Sequence, residues 1–116
     1  MLSKEFADHF ASDWIDSWNS HDLDRILGHY SDDFMMSSPR IADIANEPSG
    51  VLRGKVSVAA YWKRALELLP TLRFELIRVY VGSDSLIIHY NGARGPAAEV
   101  FFFDQAGLVT RAAANY

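Results

Sequence analysis

Hydrophobic residues recur at helical spacing in the first part of the chain. Between residues 4 and 20, large aromatic side chains occupy every fourth position: Phe6, Phe10, Trp14 and Trp18. Charged residues fill the positions between them, so the pattern predicts an amphipathic helix with Ser3 as its N-cap. A second, shorter helix is expected after Asp22, and a third over Lys55–Leu69, where Pro70 ends the pattern.

After Pro70 the chain changes to segments rich in β-branched and aromatic residues, separated by short turns. These predicted strands are Thr71–Val81, Ser85–Asn91, Ala97–Phe103 and Leu108–Asn115. Short connections favour an antiparallel meander. A further short strand is expected at Phe34–Ser37, and residues 40–54 are expected to form a loop. Helices first and strands last predict an α+β fold with the helices on one face of the sheet.

The last two predicted strands are apolar on both faces. Pairing Phe103 with Leu108 places Glu99 opposite Ala112 on the inner face. The outer face then carries Val100, Phe102, Val109, Arg111 and Ala113. Because the helices cover only one face, we expect a homodimer through the outer face, in which Arg111, opposite Val100, forms an ion pair.

Composition fits one folded domain over residues 1–116, since 49% of the residues are hydrophobic and 22% are charged. The net charge of -4 argues against a nucleic-acid partner, which needs clustered basic residues. Neither a membrane-spanning run nor the layout of a secretory signal is present, so we expect a cytoplasmic protein without membrane association. The chain has no cysteine, which excludes disulfides and thiolate chemistry.

Six stretches of the chain together form a family pattern: Trp14–Asp24, Tyr30–Phe34, Gly54-Lys55, Tyr61-Trp62, Glu99–Phe103 and Gly107–Val109. They resemble the nuclear transport factor 2-like superfamily, above all its small bacterial SnoaL-like proteins, which are relatives of polyketide cyclases and ketosteroid isomerases. The resemblance implies a cystatin-like cone, in which a strongly bent antiparallel sheet wraps around three helices and encloses an apolar pocket. This fold carries enzymes, transport factors and binding proteins alike.

The resemblance transfers the isomerase residues only in part. Its oxyanion-hole acid is retained as Glu99 and one supporting tyrosine as Tyr30. The tyrosine of the first helix is replaced by Trp14, another tyrosine by Trp62, and the general-base aspartate by Ser38. Because a serine without a neighbouring base does not shuttle protons at neutral pH, steroid isomerisation by that mechanism is disfavoured.

Glu99 and His89 are the candidate catalytic residues. A carboxyl group facing an apolar pocket is desolvated, which raises its pKa and suits it to donate a proton. The alternative for Glu99 is a partner arginine or a place at the rim. His89 has the titration range for acid–base work, but a structural role is the alternative. The strand register leaves open whether His89 faces the pocket or the dimer interface.

Aromatic and small side chains supply a possible pocket wall, although core packing is the ordinary alternative for them. The candidate ligand-binding residues are Trp14, Trp18, Tyr30, Ser38, Tyr61, Trp62, Phe101, Ala112 and Tyr116. Arg40 and Arg53 lie near the two ends of the 40–54 loop. The loop is expected either to cover the pocket mouth with an anion-binding arginine or to be solvated, with its charges serving solubility. The histidines and aspartates of residues 21–33 have the positions of caps and turns, so neither a metal nor another cofactor is expected.

Three functions remain open from the sequence. The first is a homodimer that binds a small hydrophobic molecule in an internal apolar pocket. The second is an isomerase- or cyclase-type enzyme that uses Glu99 as acid or base on a hydrophobic carbonyl compound. The third is a protein-interaction module. A raised pKa of Glu99, together with a second titratable group within reach of it, favours the enzyme. An exposed apolar patch favours the interaction module.

Overall fold

The computed structural model describes residues 1–116 and contains four helices and one six-stranded sheet. The helices are α1 (Lys4–Ser20), α2 (Leu23–Leu27), α3 (Pro39–Ile44) and α4 (Lys55–Leu68). The strands are β1 (Tyr30–Ser37), β2 (Val51–Arg53), β3 (Glu75–Val81), β4 (Ser85–Gly92), β5 (Gly95–Phe103) and β6 (Val109–Asn115). Their order in the sheet is β2-β1-β6-β5-β4-β3, and only the β1–β6 pair is parallel. The predicted α+β class and the meander are confirmed.

Ser3 and Asp22 begin the first two helices as predicted, while α2 ends at Leu27, before β1 begins at Tyr30. The Ser3 hydroxyl accepts a hydrogen bond from the Phe6 amide, which caps α1. At the other end, His21 adopts the left-handed conformation with φ 60° and its amide bonds to the Trp18 carbonyl. The Asp22 carboxylate then caps α2 through the Arg25 amide. No helix of the protein is long and apolar enough to cross a membrane.

The prediction of a loop over residues 40–54 is wrong, because α3 and β2 lie within this segment. Pro39 starts α3, the Ser38 hydroxyl accepts from the Arg40 amide, and Ile41 is completely buried. The three residues of β2 pair with the end of β1, which itself begins at Tyr30 rather than Phe34. Elements this short are stabilised by burial and strand pairing, and they contain too few residues to show periodicity in the sequence. With α3, the protein has four helices rather than the expected three.

The register of the last hairpin also differs from the prediction. Phe103 pairs with Val109 rather than with Leu108, and the next pair along the ladder leaves Thr110 as an extra residue. Because of this β-bulge, Val109 and Arg111 face opposite sides of the sheet although they are two residues apart. Val109 is therefore completely buried on the inner face, although the sequence placed it on the outer face.

The same bulge shifts the partners of the two charged residues on these strands. Glu99 pairs with Ala114, and Arg111 pairs with Phe102, each two residues away from the expected partner. Glu99 nevertheless stays on the inner face, where it is buried, and Arg111 stays on the outer face, where it is exposed. The Arg111 guanidinium lies 5.1 Å above the centre of the Phe102 ring.

An aromatic cluster between α1 and the inner face of the sheet forms the centre of the core. The Trp14 ring contacts Phe74, Tyr90 and Phe101, with centroid separations of 5.6, 5.3 and 5.4 Å. Its indole Nε1 donates a 2.9 Å hydrogen bond to the Tyr30 hydroxyl, and both side chains are buried. This cluster supports the wall of the adjacent cavity.

Candidate functional site

A cavity of about 170 Å³ lies between the inner face of the sheet and helices α1, α3 and α4. For scale, an engineered apolar cavity of about 150 Å³ binds benzene. Most of the lining is hydrophobic, including Trp18, Met36, Ile44, Tyr61, Trp62, Ala65, Leu69, Leu72, Phe74 and Tyr90. Glu99, Arg40 and Arg94 are the charged residues of the lining. The space therefore suits a body about as large as one ring, with polar groups at defined points.

Glu99 is the acidic residue of this cavity, and only 4% of it is exposed. Burial raises its pKa from 4.5 to about 7, against the smaller and opposite effect of the hydrogen bond from Tyr90. The Tyr90 hydroxyl donates to Glu99 Oε1 over 3.2 Å, and no protein group donates to Oε2. Near neutral pH the carboxyl group is therefore divided between its protonated and ionised forms.

Tyr90 is a site residue that reasoning from the sequence missed. The hairpin pairs Gly92 with Gly95 and Ile88 with Glu99, which places Tyr90 diagonally beside Glu99 on the inner face. Burial, and then the nearby Glu99 charge, raise the pKa of Tyr90 far above its usual value of 10, so its hydroxyl remains a donor. The sequence signal that could have revealed Tyr90 is the pair of glycines around a short turn, because a tight turn defines the register of the two strands that it joins.

Four of the predicted wall residues line the cavity: Trp18, Tyr61, Trp62 and Tyr116. Trp18 also carries an indole Nε1 that is buried without a hydrogen-bond partner. Burial raises the pKa of Tyr61 to about 12, so this hydroxyl also stays protonated. The remaining predicted wall residues, Trp14, Tyr30, Ser38, Phe101 and Ala112, are buried beside or beneath the cavity rather than in its lining.

Tyr30 and Ser38 have structural contacts that explain these positions. Tyr30 accepts from Trp14, and burial followed by the Glu99 charge raises the pKa of Tyr30 well above its usual value. Ser38 caps α3, and its hydroxyl lies 3.5 Å from the hydroxyl of Tyr116 at the cavity mouth. Both residues thus hold elements that surround the cavity.

The structure does not bring His89 to Glu99. Ile88 and Tyr90 are buried on the inner face, so alternation along β4 places His89 on the outer face, where it pairs with Ala98 and Arg78. Apart from Glu99, the titratable side chains that line the cavity are arginines and tyrosines. A Glu99–His89 pair working on one ligand is therefore excluded by the facing of the strand.

Arg40 and Arg53 also separate in the structure. Arg40 lines the cavity mouth, and its guanidinium lies 4.4 Å from the centre of the Tyr116 ring. Arg53 is exposed outside the cavity, with its guanidinium 3.4 Å from the Met35 sulfur. Of these two arginines, Arg40 is the one placed to contact a cavity ligand.

The aspartates and histidines near α2 take structural roles. Asp13 accepts from His29 over 2.6 Å and pairs with Arg25 over 3.2 Å, while Asp22 caps α2. His21 contacts the Leu72 carbonyl oxygen over 2.7 Å. No group of three or more histidine, aspartate or glutamate side chains is arranged to hold a metal ion.

A bent sheet that encloses a largely apolar cavity behind its helices is the cystatin-like architecture of the nuclear transport factor 2-like superfamily. The chain belongs to the SnoaL-like domain family, whose model matches residues 11–113. The match includes most of α1, all of α2, α3 and α4, Glu99 and every cavity-lining residue except Tyr116. A search of curated proteins gave no match.

Solved structures support the same placement. A SnoaL-like protein of unknown function from Burkholderia thailandensis E264 is 53% identical, with a TM-score of 0.95 over 99% of this chain and 97% of that chain. A putative polyketide cyclase from Sinorhizobium meliloti is 14% identical, with a TM-score of 0.73 over 92% and 94% of the two chains. SalBIII, an epoxide hydrolase/cyclase-like enzyme in pyran ring formation in salinomycin, is 13% identical, with a TM-score of 0.75 over 99% and 93%. The last two likenesses show the fold alone.

Proposed function

We propose that the protein binds a small hydrophobic carbonyl compound in its internal cavity, with Glu99 as the hydrogen-bond donor to the carbonyl oxygen. The observation that carries this proposal is a buried carboxyl group in a largely apolar wall, with its Oε2 atom unused by the protein. Such a group recognises an acceptor strongly, because it donates as a neutral acid in surroundings with little competing water.

The groups around Glu99 suit this role. The Tyr90 hydroxyl donates to Oε1, which leaves the proton of the neutral acid for Oε2. The rings of Trp18, Trp62 and Phe74 supply flat apolar contact area for the body of the ligand. A cavity of about 170 Å³ holds a group of single-ring size, while a longer ligand would extend towards the mouth.

Binding of a neutral ketone should decrease as the pH rises through about 7. The pKa of Glu99 is about 7, and only the protonated form donates to the ketone oxygen. Well above that pH the association constant of the wild-type protein should therefore fall about tenfold per pH unit. The measurement is isothermal titration calorimetry between pH 5.5 and 8.5 with hits from a thermal-shift screen of neutral aryl ketones.

Glu99→Gln is the informative variant, because its amide accepts from Tyr90 and donates to the ligand without titrating. It should bind the ketone weakly but equally across the pH range, whereas Glu67→Gln, an exposed residue of α4, should behave as wild type. If ketone binding by Glu99→Gln still decreased with pH as in the wild-type protein, the assignment of Glu99 would be wrong. If no neutral ketone stabilises the wild-type protein at pH 6, the proposed ligand class is wrong.

An isomerase- or cyclase-type reaction is the second candidate function, and the pKa of Glu99 favours it. A carboxyl group with a pKa of about 7 populates both forms at neutral pH, so one residue can remove a proton from the ligand and return it elsewhere. The fold is shared with a putative polyketide cyclase and with the cyclase-like SalBIII.

Catalysis at Glu99 predicts exchange of the α-protons of a bound ketone for deuterium. In D2O the wild-type protein should speed this exchange by at least about a hundredfold over buffer, the usual contribution of a placed general base. Proton NMR follows the loss of the α-proton signal, and Glu99→Gln should not exceed the buffer rate. If the wild-type protein is fully occupied by the ketone and no exchange occurs, binding alone remains as the function.

We also propose that the outer face of the sheet forms a homodimer. A row of paired residues crosses four strands on this face: Tyr80, Ile87, Val100 and Ala113. Phe102 lies two residues from Val100 on the same face and is half-exposed. The helices cover the opposite face, so a second copy is the simplest cover for this apolar band.

A further inference from the structure

Arg40 differs from every other arginine of the chain in its burial. All the others are exposed, whereas Arg40 is half-buried and lines the mouth of the cavity. Removing a guanidinium from water without a partner is unfavourable, so a buried arginine is normally paired with a carboxylate. The absence of such a partner is therefore informative at this position.

No protein group neutralises the Arg40 guanidinium. None of the ion pairs of the protein includes Arg40, and its hydrogen bond to Ser38 comes from the backbone amide. The Tyr116 ring lies 4.4 Å from the guanidinium carbon and holds the planar group in place. Its five N–H donors are thus oriented but unused.

Arg40 is also not the counter-ion of Glu99. No ion pair joins Arg40 to Glu99, whose carboxyl group accepts a hydrogen bond from the Tyr90 hydroxyl instead. Glu99, Tyr61 and Arg40 line the same cavity, and most of the remaining lining is apolar. The cavity therefore presents a buried acid and a separate cation that no protein group pairs with.

We propose that the ligand carries, besides the carbonyl group that reaches Glu99, a carboxylate that Arg40 binds at the mouth. A guanidinium matches a carboxylate through two parallel N–H···O bonds, and the half-buried position strengthens that pairing. This inference rests on the proposed function and narrows the ligand class to hydrophobic keto acids. Arg94 lines the same cavity but is exposed, so it adds positive potential at the mouth while its guanidinium is not oriented by the protein.

A matched pair of probes tests the inference. The probes are 4-oxo-4-phenylbutanoate and its methyl ester, which share the ring and the ketone but differ in charge. Calorimetry at pH 6 should show that the wild-type protein binds the acid at least about tenfold more tightly than the ester, as expected for a charge-assisted pair. Added salt should reduce this preference, because it screens the ion pair but not the apolar contacts.

Arg40→Gln should lower the acid-to-ester affinity ratio from at least about tenfold to about one. Arg40→Lys should retain part of the preference for the acid, since the charge remains but the planar fork is lost. Arg94→Gln is the matched control at the same mouth and should reduce the preference by less than about twofold. An acid-to-ester ratio that Arg40→Gln does not change would overturn the inference.

The same experiment separates this inference from the proposed function. If the ester binds and responds to Glu99→Gln but the acid has no advantage, the carboxylate site is wrong and carbonyl binding stands. If the wild-type protein binds neither probe nor any neutral aryl ketone, the proposed function fails and the inference fails with it.

Discussion

Between pH 4 and pH 8, the free energy of unfolding should fall by about 3 kcal/mol less in Glu99→Gln than in the wild-type protein. Burial raises the pKa of Glu99 from 4.5 to about 7, so between these values the folded state holds a proton that the unfolded chain lacks. Stability therefore falls as the pH rises through this window. Glutamine does not titrate and should not show this decrease.

Urea denaturation at pH 4, 6 and 8 measures this difference. Glu67→Gln, which removes an exposed carboxyl group from α4, is the control and should follow the wild-type curve. Other titrating groups are common to all three proteins and cancel in the comparison. Parallel curves for Glu99→Gln and wild type would mean that Glu99 ionises in the folded protein as it does in water.

Phe102→Asp should convert the proposed dimer into monomers. In an interface with twofold symmetry, one substitution replaces two apolar rings of the contact by two carboxylates. If each costs about 2 kcal/mol, as for a central aromatic residue, the dissociation constant rises about a thousandfold. Sedimentation velocity at micromolar concentration distinguishes the two states.

The control for this substitution is Val56→Asp. Val56 is 89% exposed on α4, away from the outer face of the sheet, so the same change of charge there should leave the dimer intact. A Phe102→Asp protein that sediments as a stable dimer would show that the two copies meet through another surface. A wild-type protein that is monomeric at the same concentration would reject the interface itself.

The sequence predicted those parts of the site that depend on one element at a time. The family resemblance singles out Glu99 as a retained acid within an apolar strand, and helical spacing marks Trp18 and Trp62. Tyr90 was missed although the short turn at Gly92–Gly95 brings it beside Glu99. Arg40 was placed in a loop, because six residues of α3 are too few for a periodic pattern to be visible.

Periodicity, caps and turn residues determined the fold class, the long helices and the four-stranded meander from the sequence alone, because these depend on contacts between near neighbours. The tertiary structure decided the facing of His89 and Val109, the short elements α3 and β2, and the separation of Trp14 and Tyr30 from the cavity. Each depends on the pairing of distant segments, and one bulged residue, Thr110, is enough to change the facing of a strand. The pKa of Glu99 belongs to the same group, because burial is a property of the assembled cavity and not of the residue.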